Sequence, residues 1–235
     1  MFTHTDFKFD EIKTEQVNGK RHYVTPKGKF PSITTVLSIL SRKGIAEWRA
    51  RVGEKEANRV STTAARRGTN VHLMCEQYVN NELDVSKFMP HEKAMFYSIK
   101  PILNGNINNV VAQEVPLWSS YLGVAGRVDC IAEYNGILSI IDFKTSTKER
   151  NDQWNENYYI QCAAYAEMYG ERTGTEIEQI VILCVTEDGT VQEFVKQKYD
   201  YLDALEETAS EWRKKNETPS TSNGGVSVNG LSNQQ

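Results

Sequence analysis

Residues Gly123–Lys144 read GVAGRVDCIAEYNGILSIIDFK, and the fold turns on this stretch. Two apolar, β-branched runs flank Asn135-Gly136. Asn-Gly between alternating hydrophobic residues is the strongest short-range signal for a hairpin with a two-residue type I′ turn. Such a turn pairs Tyr134 with Ile137, and the same register carries Asp129 opposite Asp142. Strand side chains repeat with period two, so Lys144 shares the face of Asp142. Directly opposed residues of an antiparallel pair have Cβ atoms roughly 4.5–5.5 Å apart, and like charges there are destabilising. A divalent cation between the carboxylates reverses that sign, and ions such as Mg²⁺ are held by one or two carboxylates plus substrate phosphates. Lys144 supplies a positive charge suited to a phosphate or a developing oxyanion. The alternative is an exposed hairpin face with solvated charges, against which the apolar neighbours Ile140, Ile141 and Phe143 speak.

The 235 residues are 39% hydrophobic and 25% charged, which fits one globular domain or a domain with a lobe. No run approaches the roughly 18 apolar residues of a membrane span. The start, MFTHTDFKFDEIKTE, has neither an apolar signal core nor the Arg-rich character of a transit peptide. A cytoplasmic protein without a membrane partner is expected. Cys75, Cys130, Cys162 and Cys184 are scattered with no Cys-x-x-Cys pair, which argues for reduced thiols and against a zinc knuckle. An iron–sulfur cluster built from distant cysteines stays open at this point. The net charge of −4 weighs against indiscriminate coating of nucleic acid. One stretch differs: from Arg42 to Arg67 eight basic residues face only Glu47, Glu54 and Glu56, and Arg66 and Arg67 at its end are candidate phosphate contacts. A solvated amphipathic face is the competing reading.

Taken in order, residues 1–30 read as a polar extension with a short hairpin around Asn18-Gly19 and Pro26-Lys27-Gly28. Ser32 or Thr34 can cap the helix that Val36, Leu37 and Leu40 begin, and hydroxyls at a helix start also suit a phosphate. Helices are expected over 44–60 and 62–81, within a helical region 36–103 that closes with a helix from Glu92 to Leu103. In the second of these, His72 and Glu76 share a face at i and i+4. His72 reads either as a buried core histidine or as a metal ligand, and imidazole suits Mn²⁺ better than Mg²⁺. A strand from Val110 to Trp118 contains Glu114, a further metal ligand or an edge charge, and pairs with the first hairpin strand. Thr145 and Ser146 sit at a strand end and are candidate phosphate contacts. A helix from Asn155 to Tyr169 places Gln161 and Tyr165 on one face. A second hairpin turns at Asp188-Gly189, and a helix spans Lys198–Lys215. The Ser/Asn/Gly-rich residues 216–235 read as a disordered tail. The fold class is α+β, with the catalytic core in 110–215.

These motifs together resemble a known family. Gly126-x-x-Asp129, Ile141-Asp142-Phe143-Lys144-Thr145-Ser146 and Gln161-x-x-x-Tyr165, preceded by Gly68-Thr69-x-x-His72-x-x-x-Glu76, resemble the RecB-like branch of the PD-(D/E)xK nucleases. Pro31-Ser32-Ile33-Thr34 and Asp129–Tyr134 bring the likeness closer still to the mitochondrial genome maintenance exonuclease and its phage relatives. The resemblance covers roughly Pro31 to Tyr201, and the catalytic "PD" is Val128-Asp129 here. It implies one nuclease domain over 31–215, with a central mixed sheet flanked by helices (α/β/α-like) and an N-terminal helical arch. It further implies that Asp129 and Asp142 ligate Mg²⁺ or Mn²⁺ with His72 and the Phe143 carbonyl. Lys144 would act on the attacking water and the phosphate, with Gln161 and Tyr165 beside the site. The activity implied is metal-dependent exonucleolysis of single-stranded DNA in replication, recombination or repair, in a phage setting and alongside proteins of those processes. A structure-specific endonuclease and a catalytically silent DNA-binding module are the alternatives.

Overall fold

A computed structural model of the chain describes residues 1–5 and 7–216; the expected tail lies outside the described residues. The strands β1 (Thr14–Val17), β2 (Lys20–Thr25) and β3 (Gly28–Pro31) form a small antiparallel sheet. The helices α1 (Ile33–Val52), α2 (Glu54–Val79) and α3 (Pro90–Asn106) follow. Then come β4 (Ile107–Ser119), β5 (Val124–Tyr134), β6 (Ile137–Ser146), α4 (Glu156–Thr173), β7 (Gln179–Thr186), β8 (Val191–Gln197) and α5 (Leu202–Asn216). The last five strands make one sheet in the order β4-β5-β6-β7-β8.

Only β6 and β7 run parallel; every other pairing in the sheet is antiparallel. Parallel neighbours need a crossover, and α4 provides it. Alternation along β6 assigns Ile140 to one face and Ile141 to the other. On the Ile140 side, α1, α4 and α5 bring Val36, Leu37, Ile160, Met168, Leu205 and Trp212 into one core. On the Ile141 side, α2 and α3 bring Met74, Cys75, Val79, Phe96, Ile99 and Leu103 into another. Both faces of the sheet are therefore covered, and β7 is buried along its whole length, which explains its unbroken apolar run IVILCV from Ile180 to Val185. The β8 edge alternates partly buried with exposed residues and carries Glu193 and Lys196, charges that blunt an open edge. The four cysteines are free and buried.

The Asn135-Gly136 turn behaves as its sequence demands, with both residues at positive φ (53° and 80°). Pairing runs from Tyr134–Ile137 to Cys130–Ile141 in the expected register. One expectation is corrected. The break between the first two helices falls at Gly53 (φ 84°), not near residue 61, and its N–H closes α1 on the Arg49 carbonyl at 2.9 Å. Glycine takes this backbone at no steric cost, so Gly53 ends α1 while Ser61-Thr62-Thr63 simply continue α2. The N-terminal extension forms the expected hairpins at Asn18-Gly19 and Pro26-Lys27 and is packed on the sheet. Tyr23 packs in a third core with Trp118 and Ala125, and residues 3–5 bond to Val110 at the β4 edge.

Candidate active site

The site forms where β5 and β6 part. Their ladder ends at Cys130–Ile141, while β6 continues beside β7 as far as Ser146–Thr186. The Phe143 N–H, which faces the β5 side, donates to Asp129 Oδ2 at 3.0 Å. A side-chain carboxylate thus takes the place of the next ladder partner. Asp129 and Asp142 stand one step beyond the last rung rather than on it, a correction with a simple cause: two carboxylates on a regular rung repel.

Asp142 is 1% exposed and lies on the α4 side. Gln161 Nε2 donates to its Oδ1 at 3.4 Å. Lys144 Nζ is in ionic contact with its Oδ2, yet that oxygen accepts no aligned hydrogen bond. Gln161 also donates to Tyr165 Oη at 3.4 Å, so one helix face holds both groups over the carboxylate. Gly126 permits that approach, because a Cβ there would sit 2.6 Å from Tyr165 Cε1.

The second half of the site comes from α2 and β4. His72 Nε2 is 2.7 Å from Glu114 Oε1, and its Nδ1 is 3.3 Å from Asp129 Oδ2. Gln113 and Val115 pair with Cys130 and Val128, but Glu114 between them leaves the ladder with φ 50°. A non-glycine residue held there stores about 1–3 kcal/mol of strain. Arg127 clamps the turned-out Glu114 carbonyl. His72, Glu76 and Glu114 offer ligand atoms within 4.8 Å of one another.

Burial and charge set the protonation of these groups. Burial, then the Asp129 charge, drive the Asp142 carboxyl up to about 7 against the pull of Lys144. Burial acts upward on Asp129 as well, but His72, Lys144 and the Phe143 N–H hold it below the usual carboxylate range. Burial pulls His72 down, and Asp129 and Glu114 outweigh it, pushing the imidazole up to about 10. Lys144 is pulled down by burial and raised by Asp142 and Asp129, with a net rise. The donor set fits a divalent cation: carboxylate oxygens, one imidazole, and a buried Asp142 oxygen lacking a hydrogen bond. Such an ion competes with the imidazole proton, since a ligating histidine is neutral.

A cleft of about 650 Å³ brings together His72, Glu114, Asp129, Phe143, Lys144, Thr145, Gln161 and Tyr165, with Thr34 at its wall. Ser32 instead caps α1, accepting from the Thr35 N–H at 3.1 Å, and is buried. Ser146 lies beyond the cleft, its carbonyl bonded by the Glu187 N–H at 3.1 Å. Arg66 and Arg67 line a different opening, where the buried Arg67 is paired with Glu187. Glu76, which the sequence places on the His72 face, lines the cleft too, and Arg21 and Arg127 join it beyond the site residues that the sequence marks. Arg127 has a local signal, being inside Gly126-x-x-Asp129. Arg21 has none, because only the packing of β2 against the sheet brings it there.

A model of the PD-(D/E)XK nuclease superfamily matches residues 102–224, just over half of the chain. Among solved structures, the chain is similar to a candidate exonuclease from Eubacterium rectale, with 16% identity, a TM-score of 0.41 and coverage of 66% of this chain and 68% of that one. It is also similar to the protein SSO0001, with 15% identity, a TM-score of 0.40 and coverage of 75% and 72%. Among curated proteins none matches.

Proposed function

The chain belongs to the PD-(D/E)XK nuclease superfamily, and from that premise we propose that it is an exonuclease that degrades single-stranded DNA from free ends, akin to the mitochondrial genome maintenance branch. Nucleases of this superfamily use divalent metal ions, and Mg²⁺ or Mn²⁺ is the cation proposed here. Asp129, Asp142 and His72 would hold it, with the Phe143 carbonyl and Glu114 as further ligands. When bound, the ion supplies a Lewis acid for the phosphodiester and lowers the pKa of water.

The chain's own residues do the rest. Lys144 orients the attacking water and neutralises charge gathering on the phosphate, a role suited to a cation held in a water-poor site. Gln161 fixes the Asp142 carboxylate from behind. The observation that carries hydrolysis is the conjunction of Lys144, in ionic contact with the buried Asp142 Oδ2, and the neighbouring Asp129.

Preference for a free end is read from α1 and α2. Between Ser38 and Arg66 only Ala57 is buried, so the outer halves of both helices stand off the body. Thr34 at the foot of α1 and Gly68 and Thr69 on α2 line the cleft, so the helical pair is rooted on it. A strand passing between those roots must be threaded by its end.

The test is cleavage of end-labelled linear and circular single-stranded DNA with Mg²⁺ or Mn²⁺. Loss of linear DNA alone, abolished in Asp142→Ala, is expected. Circles cut at the rate of linear strands would replace the proposal with an endonuclease, and no cleavage with either ion would leave a binding module.

A further inference from the structure

Trp154 is 63% exposed, whereas Trp118 and Trp212 are 8% and 5% exposed. Leaving the largest apolar side chain in water forgoes the burial that normally fixes it. Its backbone, by contrast, is tightly held. Its N–H donates to Asn151 Oδ1 at 3.0 Å, and its carbonyl accepts from the Arg150 guanidinium. Arg150 Nε bonds the fully buried Asn155 at 2.5 Å. Gln192 of β8 clamps the Arg150 backbone on both sides, at 2.8 and 3.0 Å. An exposed ring on an immobilised backbone is preorganised for a ligand.

The backbone that carries the ring is also linked to the cleft. Arg150 lies 5.1 Å from the Tyr158 ring centroid, and Lys144 Nζ lies 4.9 Å from the same centroid. One chain of contacts therefore runs from the proposed catalytic lysine through Tyr158 and Arg150 to the Trp154 backbone carbonyl. We infer that Trp154, backed by Arg150 and Tyr158, is a stacking platform for an unpaired base of the strand occupying the cleft. This rests on the nuclease reading of the cleft. Unpaired bases present the π-face that such a platform takes, and a duplex withholds it.

The surroundings favour a base over a protein partner. In sequence Trp154 is flanked by the polar residues Asp152, Gln153, Asn155 and Glu156, where a protein hot spot clusters apolar anchors. Asp152 is neutralised by Lys196 at 2.7 Å, while Glu149 and Glu156 offset Lys148 and Arg150. The grip is therefore through the ring face rather than through net charge, and it should be nearly independent of salt.

The test is binding of oligothymidylate to the full chain with Ca²⁺ in place of Mg²⁺, set beside cleavage with Mg²⁺. Trp154→Ala is expected to weaken binding roughly 5- to 100-fold and raise KM with little change in kcat, while Trp154→Phe retains most of the affinity. An oligonucleotide with abasic sites should bind wild type and Trp154→Ala alike. Equal binding of oligothymidylate by both proteins overturns the platform, as does an equal loss on normal and abasic strands. Cleavage that is absent in wild type while Trp154-dependent binding persists would remove the nuclease reading and leave the platform standing.

Discussion

The cleft and the outer halves of α1 and α2 handle charge in opposite ways. In the cleft, Asp129, Asp142, Lys144 and His72 are packed together against buried strands, and the protonation of each is shifted by at least one of the others. In the helical pair, most charges settle locally in solvent: Lys43 with Glu47, Arg49 with Glu54, Arg59 with Glu56. Exposed pairs of this kind contribute little, about 0–1 kcal/mol. Arg42, Arg51, Lys55 and Arg66 form no ion pair among the described residues and are, under the proposed function, candidates for a phosphate backbone. The lesson is that charge density alone does not mark a site. Charge that burial prevents water from relaxing does.

That contrast can be broken most forcefully at the carboxylates. Asp142→Ala or Lys144→Ala is expected to lower cleavage by about a thousandfold or more, a loss of roughly 4 kcal/mol of transition-state stabilisation. Single-turnover cleavage of linear DNA measures it, and a loss under tenfold would move the chemistry elsewhere.

The next effect is a linkage between pH and metal. Asp142 is raised from 3.8 to about 7 in the fold and His72 from 6.5 to about 10. A raised folded pKa gives stability that is complete below the unfolded value and is lost as pH climbs through the folded one. Both groups therefore weaken the metal-free fold between about pH 4 and pH 10, and a cation competing with their protons restores it. The rise in Tm on adding Mg²⁺ should be several degrees larger at pH 8 than at pH 5.5. An equal or reversed rise would mean that the ion binds away from Asp142 and His72.

Gly126→Ala probes the packing beneath the chemistry. The added Cβ meets Tyr165 and, at 3.0 Å, Ile33 Cγ2. A destabilisation of about 1–3 kcal/mol is expected by denaturant unfolding, with cleavage reduced because Tyr165 and Gln161 share a helix face. Unchanged stability would show that α4 shifts freely. The smallest effect belongs to the helical pair. Replacing Arg42, Arg51 and Lys55 with alanine should weaken single-strand binding only a few-fold at low salt, and lower the salt slope by about 0.7 for each phosphate no longer neutralised. A slope that stays put would detach these helices from the substrate.

What the sequence made legible was local. The Asn-Gly turn and its alternating flanks carry the register that brings Asp129, Asp142 and Lys144 together, because turn chemistry and period-two alternation act within a few residues. The i and i+4 spacing of Gln161 and Tyr165 held for the same reason. Glu114 was visible as a charge in a strand, but its left-handed backbone was not, since that strain is imposed by Arg127 and His72 from other elements. Arg67 read as a phosphate contact because its partner, Glu187, lies 120 residues away in sequence. The helix break at Gly53 had a signal of its own, a glycine between two charged helical runs.

One arrangement, the protonated His72 lodged between Asp129 and Glu114 while the Phe143 N–H meets the same Asp129 oxygen, has a consequence for how the protein is made. Protons and a backbone donor act as place-keepers for the cation, so the nascent chain can fold first and load its metal later. Its supply of finished, dormant molecules is then set by synthesis, and its supply of active ones by the ion concentration it meets.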